Sequence, residues 1–232
     1  AFGPDELAYL EPVAALAHEE GKRLRVVLQP GLAPVSGGRI ERLGSHQIAT
    51  VSNAPDRVLA LAAKRLLDVA VAVLVLVVLA PVLAAIGAAV WLEDRGPVFF
   101  RQTRVGLHGR QFQIVKFRSM VRDAEERLAD LEELNEIEGH AFKLADDPRI
   151  TRTGRFLRRT SLDELPQFWN ALRGQMSVVG PRPPLPAEVA GYDLWHRRRL
   201  SMKPGITGLW QVSARLEAEF DRWVELDLAY ID

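Results

Sequence analysis

Residues 69–92, VAVAVLVLVVLAPVLAAIGAAVWL, are 24 consecutive positions without a charge, supplied almost wholly by Val, Leu, Ala and Ile. As a straight helix the run would be about 36 Å long, enough to cross a hydrocarbon core of about 30 Å. Buried helices of soluble cores are usually shorter and keep a polar edge, so this run reads as membrane-inserted. It lies too far from Ala1 to be a signal peptide. Pro81 sits near its middle, where it removes the hydrogen bond to the carbonyl of Val77 and costs about 3 kcal/mol unless the chain bends. Two forms satisfy that constraint: a kinked spanning helix, or a helix–break–helix hairpin that enters one leaflet and returns. Lys64 and Arg65 precede the run, and Arg95, Arg101 and Arg104 follow it. A crossing helix would leave one basic cluster on the unfavoured face of the membrane. The flanks therefore favour re-entry, with residues 61–96 as the membrane hairpin.

On the C-terminal side, Val98-Phe99-Phe100 and Gln111–Val115 flank the turn-rich Gly106-Leu107-His108-Gly109, a β-hairpin pattern. Residues 121–137, rich in Glu, Asp, Leu and Arg, read as a solvated amphipathic helix. On the N-terminal side, residues 1–60 read as the end of an α/β unit. A helix is expected over 5–20 with Gly21 as its cap, strands at Leu24–Leu28 and Gln47–Val51, and a turn at Gly37-Gly38. No Gly-x-Gly-x-x-Gly phosphate loop occurs there.

Composition narrows the class. Across 232 residues, 48% are hydrophobic and 26% charged, which excludes wholesale disorder and fibrous repeats. A single apolar run excludes a multi-span bundle. Thirty basic residues balance thirty acidic ones, so any affinity for anions must come from local clustering, and nothing points to a nucleic-acid partner. Cysteine is absent, which removes disulfides, thiolate metal sites and thiol nucleophiles. The five histidines lack ligand spacing, so a histidine-built zinc site is not expected. A start at Ala1 and a stop after Ile231-Asp232 suggest a segment of a longer chain.

The polar chemistry concentrates between Arg149 and Arg182. Arg149, Arg152, Arg155, Arg158 and Arg159 recur every few positions, so several share one helical face. They suit either a surface for lipid headgroups or a clamp for phosphate oxygens, and spacing leaves both open. Next come the adjacent carboxylates Asp163 and Glu164. Ser161-x-x-Glu164 matches a capping box, but a helix begun there would place Pro166 at its fifth position. With Asp163 as N-cap, Pro166 falls at the third, where its missing N–H is unpaired anyway. Both acids would then stand at a positive helix end beside arginines, where phosphate also binds and a carboxylate stays ionised. Gly180-Pro181-Arg182-Pro183-Pro184 holds Arg182 on stiff backbone. His196–Arg199 reads as an interfacial basic run, and Lys203–Gln211 as a turn-rich pocket wall.

The apolar run broken at Pro81, Lys116-Phe117-Arg118-Ser119-Met120, the stretch Thr160–Pro183 and Lys203–Gln211 together resemble the bacterial sugar transferases. These are monotopic polyprenyl-phosphate phosphoglycosyltransferases that begin O-antigen, capsule and exopolysaccharide assembly. The likeness covers residues 64–232. It implies a mixed, mainly helical α/β monotopic membrane protein with a re-entrant helix-break-helix, a small β-hairpin and amphipathic interfacial helices, at the cytoplasmic face of the bacterial inner membrane. It implies transfer of sugar-1-phosphate from a UDP-sugar to polyprenyl (undecaprenyl) phosphate, with release of UMP and a requirement for Mg²⁺.

By the same resemblance, Asp163 is the nucleophile that forms an aspartyl-phosphosugar. Glu164, with Asp163, holds the metal. Lys116, Arg118, Arg158 and Arg182 match cationic substrate positions, and Gln211 contacts the nucleotide. Pro81 matches the family's break, although Ala80 replaces the usual preceding serine. Residues 1–60 resemble the end of the additional cytosolic domain of long members, which makes a homodimer an expectation. Residues 97–232 would be the catalytic domain, which in the family continues further. Two other readings suit paired carboxylates and arginines: a Mg²⁺-dependent phosphodiesterase or pyrophosphatase, and a non-catalytic scaffold for anionic lipid.

Overall fold

A computed structural model describes residues 24–28, 39–43, 46–51, 58–127, 147–213 and 220–231, with isolated positions 13, 17 and 144. Strands β1 (Leu24–Leu28), β2 (Arg39–Leu43) and β3 (His46–Val51) form an antiparallel sheet in the order β1-β3-β2. The two expected strands are present, and β2 adds a third. Val13 and Ala17 are helical, while the remainder of the helix expected over 5–20 and the Gly37-Gly38 turn lie outside the described residues.

The apolar run forms two helices, α1 (Val58–Val78) and α2 (Ala80–Asp94), bent by 63° at Leu79. Among the described residues no single helix is long and apolar enough to cross a membrane. Leu79 leaves helical geometry at φ −90°, ψ 7°, and Pro81 falls in the first turn of α2. There its absent N–H has no intrahelical partner to lose, so the break opens beside the proline and no mid-helix bond is sacrificed. Leu66, Leu67, Leu74, Val77, Val78 and Leu92 are exposed, whereas Ala72, Ile86 and Val90 are buried.

The first helix is tied to the body by its polar start. Buried Asp68 accepts from Ser177 Oγ at 2.8 Å and from the Val178 N–H at 2.9 Å. Arg65 donates to the carbonyls of Ala171 (2.6 Å) and Leu172 (2.9 Å), and Lys64 to that of Val179 (3.1 Å). Lys64 and Arg65, conspicuous in sequence as flanking charges, thus hold the helix to the rest of the protein.

Strands β4 (Phe99–Val105) and β5 (Gln111–Phe117) form the expected hairpin, closed by a tight turn with His108 at φ 56° and Gly109 at φ 78°. Pairing runs from Phe99↔Phe117 to Val105↔Gln111. Because strand side chains alternate, Arg104, Ile114 and Lys116 share one face, and Phe99, Arg101, Val115 and Phe117 the other. The second face packs on α2, where Ile86, Val90, Phe117 and Leu157 form a core cluster with Leu83, Val98 and Leu162 around it. Gly87 permits that approach, since a Cβ there would already meet Val98 Cγ1 at 3.3 Å.

Val121–Arg127 is a series of turns, so the helix expected over 121–137 does not begin there; residues 128–137 lie outside those described. Helix α3 (Arg152–Thr160) is capped by the Thr151 side chain, which accepts from Gly154 N at 2.9 Å. A Cβ on Gly154 would run into the Ser119 carbonyl, so glycine lets α3 lie against the strand exit. Helix α4 (Gln167–Leu172) follows, ended by Gly174 at φ 77°. Strands β6 (Ser177–Val179) and β7 (Gly205–Thr207) pair in parallel. Helices α5 (Pro186–Ala190), α6 (Leu194–Arg197), α7 (Leu209–Ser213) and α8 (Phe220–Ile231) complete the described chain. The basic run at 196–199 is not an interfacial face. His196 and Arg199 are buried, with Arg199 paired to buried Asp227 and donating to Tyr192 Oη at 3.1 Å.

Candidate active site

Asp163 and Glu164 do not cap a helix as either sequence frame expects. Ser161 takes the left-handed conformation (φ 57°, ψ 18°) that terminates α3, and Leu162–Glu164 forms a separate 3₁₀ turn. Right-handed backbone continues through Leu165 and Pro166, and Pro166 itself is the N-cap of α4. With φ already set by its ring, Pro166 enters the helix without a lost bond, which moves the helix start four residues past Asp163. The two acids therefore stand on the corner between α3 and α4.

That corner meets the hairpin face carrying Lys116. Lys116 Nζ donates to Glu164 Oε1 at 2.8 Å, with both side chains still partly open to solvent. Asn170 sets the register of the contact. Its Oδ1 accepts from Val115 N at 3.0 Å and its Nδ2 donates to Gln113 O at 2.7 Å, so α4 is stitched to β5 like an added strand. Asn170 is almost fully buried and went unnoticed in sequence, where it reads only as a helix-face polar residue.

A cavity of about 450 Å³ opens over this contact. Its walls include Lys116, Glu164, Arg104, Arg182, Gln167 and Gln211. Arg182 lies 3.6 Å from Glu188 on the stiff Pro-rich loop. Gly180 and Gly205 hold that loop to β7 through the bonds Gly180 N→Thr207 O (2.9 Å) and Gly205 N→Pro181 O (2.8 Å). Arg104 was read in sequence only as a flanking charge. Period-two counting back from Lys116 through the hairpin register brings it to the same face, which is the signal that could have found it. It donates to Pro183 O at 3.0 Å and to Gln102 Oε1 at 2.7 Å, and among the described residues no carboxylate pairs with it. Burial and the neighbouring Arg182 charge pull its guanidinium down to about 10. Arg104, and Arg182 beside its partner Glu188, bring two guanidinium groups to this end of the cavity, a chemistry that suits phosphate oxygens.

Asp163 is buried at 8% exposure, and the cavity wall carries its neighbour Glu164. Burial raises the Asp163 carboxyl above the ordinary carboxylate range; Lys116 and Arg158 pull it down, and Glu164 pushes it up. The sequence expectation stressed the positive surroundings, whereas desolvation is the larger effect. Arg158 is exposed on the last turn of α3 and acts on Asp163 by charge. Arg118 does not line the cavity. It is buried against Asp94 at the end of α2 and fastens that helix to the hairpin exit. The arginine series disperses likewise: Arg149 is buried against Asp147 at 2.6 Å, while Arg152, Arg155 and Arg159 are exposed.

Among the described residues no group of three or more His, Cys, Asp or Glu is placed to hold a metal ion. Mg²⁺ commonly takes one or two carboxylates and completes its shell with phosphate oxygens and water, a chemistry to which Glu164 on the cavity wall and its neighbour Asp163 would be suited. On the opposite face of the hairpin a second cavity of about 770 Å³ is walled by Leu76, Leu83, Phe99, Phe117 and Trp169, with Arg101 and Arg173 beside them.

The corner thus sets paired acids, one of them on a lysine, across one cavity from Arg104 and from Arg182, which itself lies near Glu188. The family model described as bacterial sugar transferase matches residues 59–232, and the chain belongs to that family. It is 46% identical over 195 residues to the galactosyl transferase CpsE of Streptococcus agalactiae, covering 84% of this chain and 43% of that protein. It is 42% identical over 172 residues to the undecaprenyl-phosphate galactose phosphotransferase of Salmonella typhimurium, covering 72% of this chain and 36% of that one. The exopolysaccharide production protein ExoY of Sinorhizobium fredii is 38% identical over 172 residues, here 76% of the relative's length. The chain thus spans less than half of the first two relatives and about three quarters of the third.

Proposed function

We propose that this protein transfers sugar-1-phosphate from a UDP-sugar to polyprenyl phosphate, releasing UMP, as the first membrane step of polysaccharide assembly. The observation that carries the reading is the Asp163–Glu164 corner set against Lys116, with Arg104 and Arg182 across one cavity. The arginines would hold the diphosphate of the donor. An oxygen of the Asp163 carboxylate attacks the β-phosphorus, a P–O bond forms, and the bond to the bridging oxygen breaks with its electron pair leaving on UMP. The phosphate of the polyprenyl acceptor then displaces Asp163 in a second, opposite transfer, which predicts ping-pong kinetics. Lys116 holds the Glu164 carboxylate by its hydrogen bond, and Glu164 together with Asp163 and the donor's phosphate oxygens would hold Mg²⁺. When bound, that ion would neutralise charge on the diphosphate.

The bent helix pair supports a re-entrant anchor. From Val69 to Val78 the first arm is about 15 Å of helix, and from Ala80 to Leu92 the second is about 20 Å, so each reaches only partway through a core of about 30 Å. Both arms then return to one side, which on this reading is the cytoplasmic face of the inner membrane. The apolar cavity behind the hairpin suits the isoprenoid part of the acceptor. Residues 1–60 would belong to an additional cytosolic domain, residues 61–96 to the anchor and 97–232 to the catalytic domain. A homodimer is part of the same proposal. The test is a panel of UDP-sugars, UDP-galactose and UDP-glucose first, with undecaprenyl phosphate and Mg²⁺ in nanodiscs. Acceptor-dependent UMP release is expected. Sugar phosphate released into water without acceptor would assign hydrolysis instead.

A further inference from the structure

Gln167 is 2% exposed, lines the cavity, and its Nε2 has no hydrogen-bond partner among the described residues. An amide N–H left unpaired in a buried position costs about 1–3 kcal/mol, so a donor held in the wall of a cavity is suited to an acceptor that enters it. Its place on the chain says which part of the ligand. Backbone from Leu162 through Leu172 is right-handed throughout, so Gln167 stands three residues from Glu164 and four from Asp163 on one winding. Glu164 and Gln167 both wall the same cavity. A phosphoryl group that enters this cavity toward the acidic corner therefore has the Gln167 carboxamide on the same wall. Lys116, Arg104 and Arg182 supply charge to the cavity, whereas Gln167 offers a fixed neutral donor whose position costs nothing to organise during reaction.

We propose that Gln167 is a further catalytic residue, donating from Nε2 to a non-bridging oxygen of the phosphoryl group being transferred. This rests on the aspartyl-transfer reading above. No proton leaves the amide: as the Asp163 oxygen bonds to phosphorus and UMP departs with the electron pair, charge shifts among the equatorial oxygens, and the N–H stabilises it there.

The experiment compares Gln167→Met and Gln167→Glu with wild type in the full chain, using single-turnover formation of the phosphosugar adduct, steady-state KM for the UDP-sugar, and melting temperature. Methionine matches glutamine in reach without a polar atom. Its adduct formation should slow about 10²-fold while KM changes less than about 3-fold and the melting temperature holds or rises, because an orphaned donor is gone. Glutamate, which presents only an acceptor, should slow it at least as much. Wild-type adduct rates in either variant would overturn the assignment, as would a loss of rate that only follows a loss of folded protein. If wild type itself forms no adduct, the nucleophile reading fails separately. The same variants are then ranked by UMP release with both substrates, which reads the contact whichever group attacks.

Discussion

Replacing Asp68 by alanine should cost about 3 kcal/mol of stability and loosen α1 from the strand β6 it is bound to. The carboxylate is 3% exposed and receives the Ser177 hydroxyl at 2.8 Å and the Val178 N–H at 2.9 Å, with Lys64 3.6 Å away. Alanine leaves two buried donors without an acceptor, at about 1–3 kcal/mol each. Part of that is regained because a carboxylate need no longer be held out of water. A loss of about 3 kcal/mol in a chain of this size corresponds to a fall of roughly 6–12 °C in melting temperature. Asn in the same place keeps one acceptor oxygen and should recover about half of it. Thermal unfolding in detergent, followed by tryptophan fluorescence, measures all three proteins. Were Asp68→Ala to melt within about 2 °C of wild type, the claim that this contact joins α1 to β6 would be lost.

Asp163→Asn should abolish UMP release and the covalent adduct, and should also stabilise the protein. Burial raises the Asp163 carboxyl in the folded state, so its favourable contribution exists below the ordinary carboxylate value and is lost as pH rises through the raised one. The gain in melting temperature should therefore appear near neutral pH and vanish below about pH 4, where the acid is neutral folded or unfolded. For the same reason the acid limb of the wild-type rate profile should lie above the range of an ordinary aspartate. Arg104→Ala should lower kcat/KM for the donor about 10- to 100-fold, the worth of a charge-assisted contact to phosphate, and Arg104→Lys should recover only part of it. Initial rates against UDP-sugar concentration decide this; an unchanged KM and kcat would remove Arg104 from the anion site.

Local signals carried the broken apolar helix, the hairpin and the pairing of Asp163 with Glu164, because each is a property of neighbours in the chain. Hydrophobic length, a proline, strand alternation around a glycine turn and two adjacent acids all read without reference to anything distant. What they could not show was where long side chains end. Arg118 and Lys116 are two residues apart on one strand exit, yet one is buried against Asp94 and the other faces Glu164. The helix start after Pro166 also escaped, since the left-handed Ser161 that ends α3 against the hairpin displaced the cap that composition favours.

The sequence alone determined that an uncharged run bends near Pro81 and that basic and acidic residues concentrate downstream of it. Only the tertiary structure decided which charges meet. Hairpin register turns Arg104 and Lys116 to one face, and Asn170 locks the acidic corner onto that face. Side-chain partners separated by some fifty to a hundred residues are chosen by packing and by the need to pair every buried donor, and neither constraint is written in any short stretch of chain.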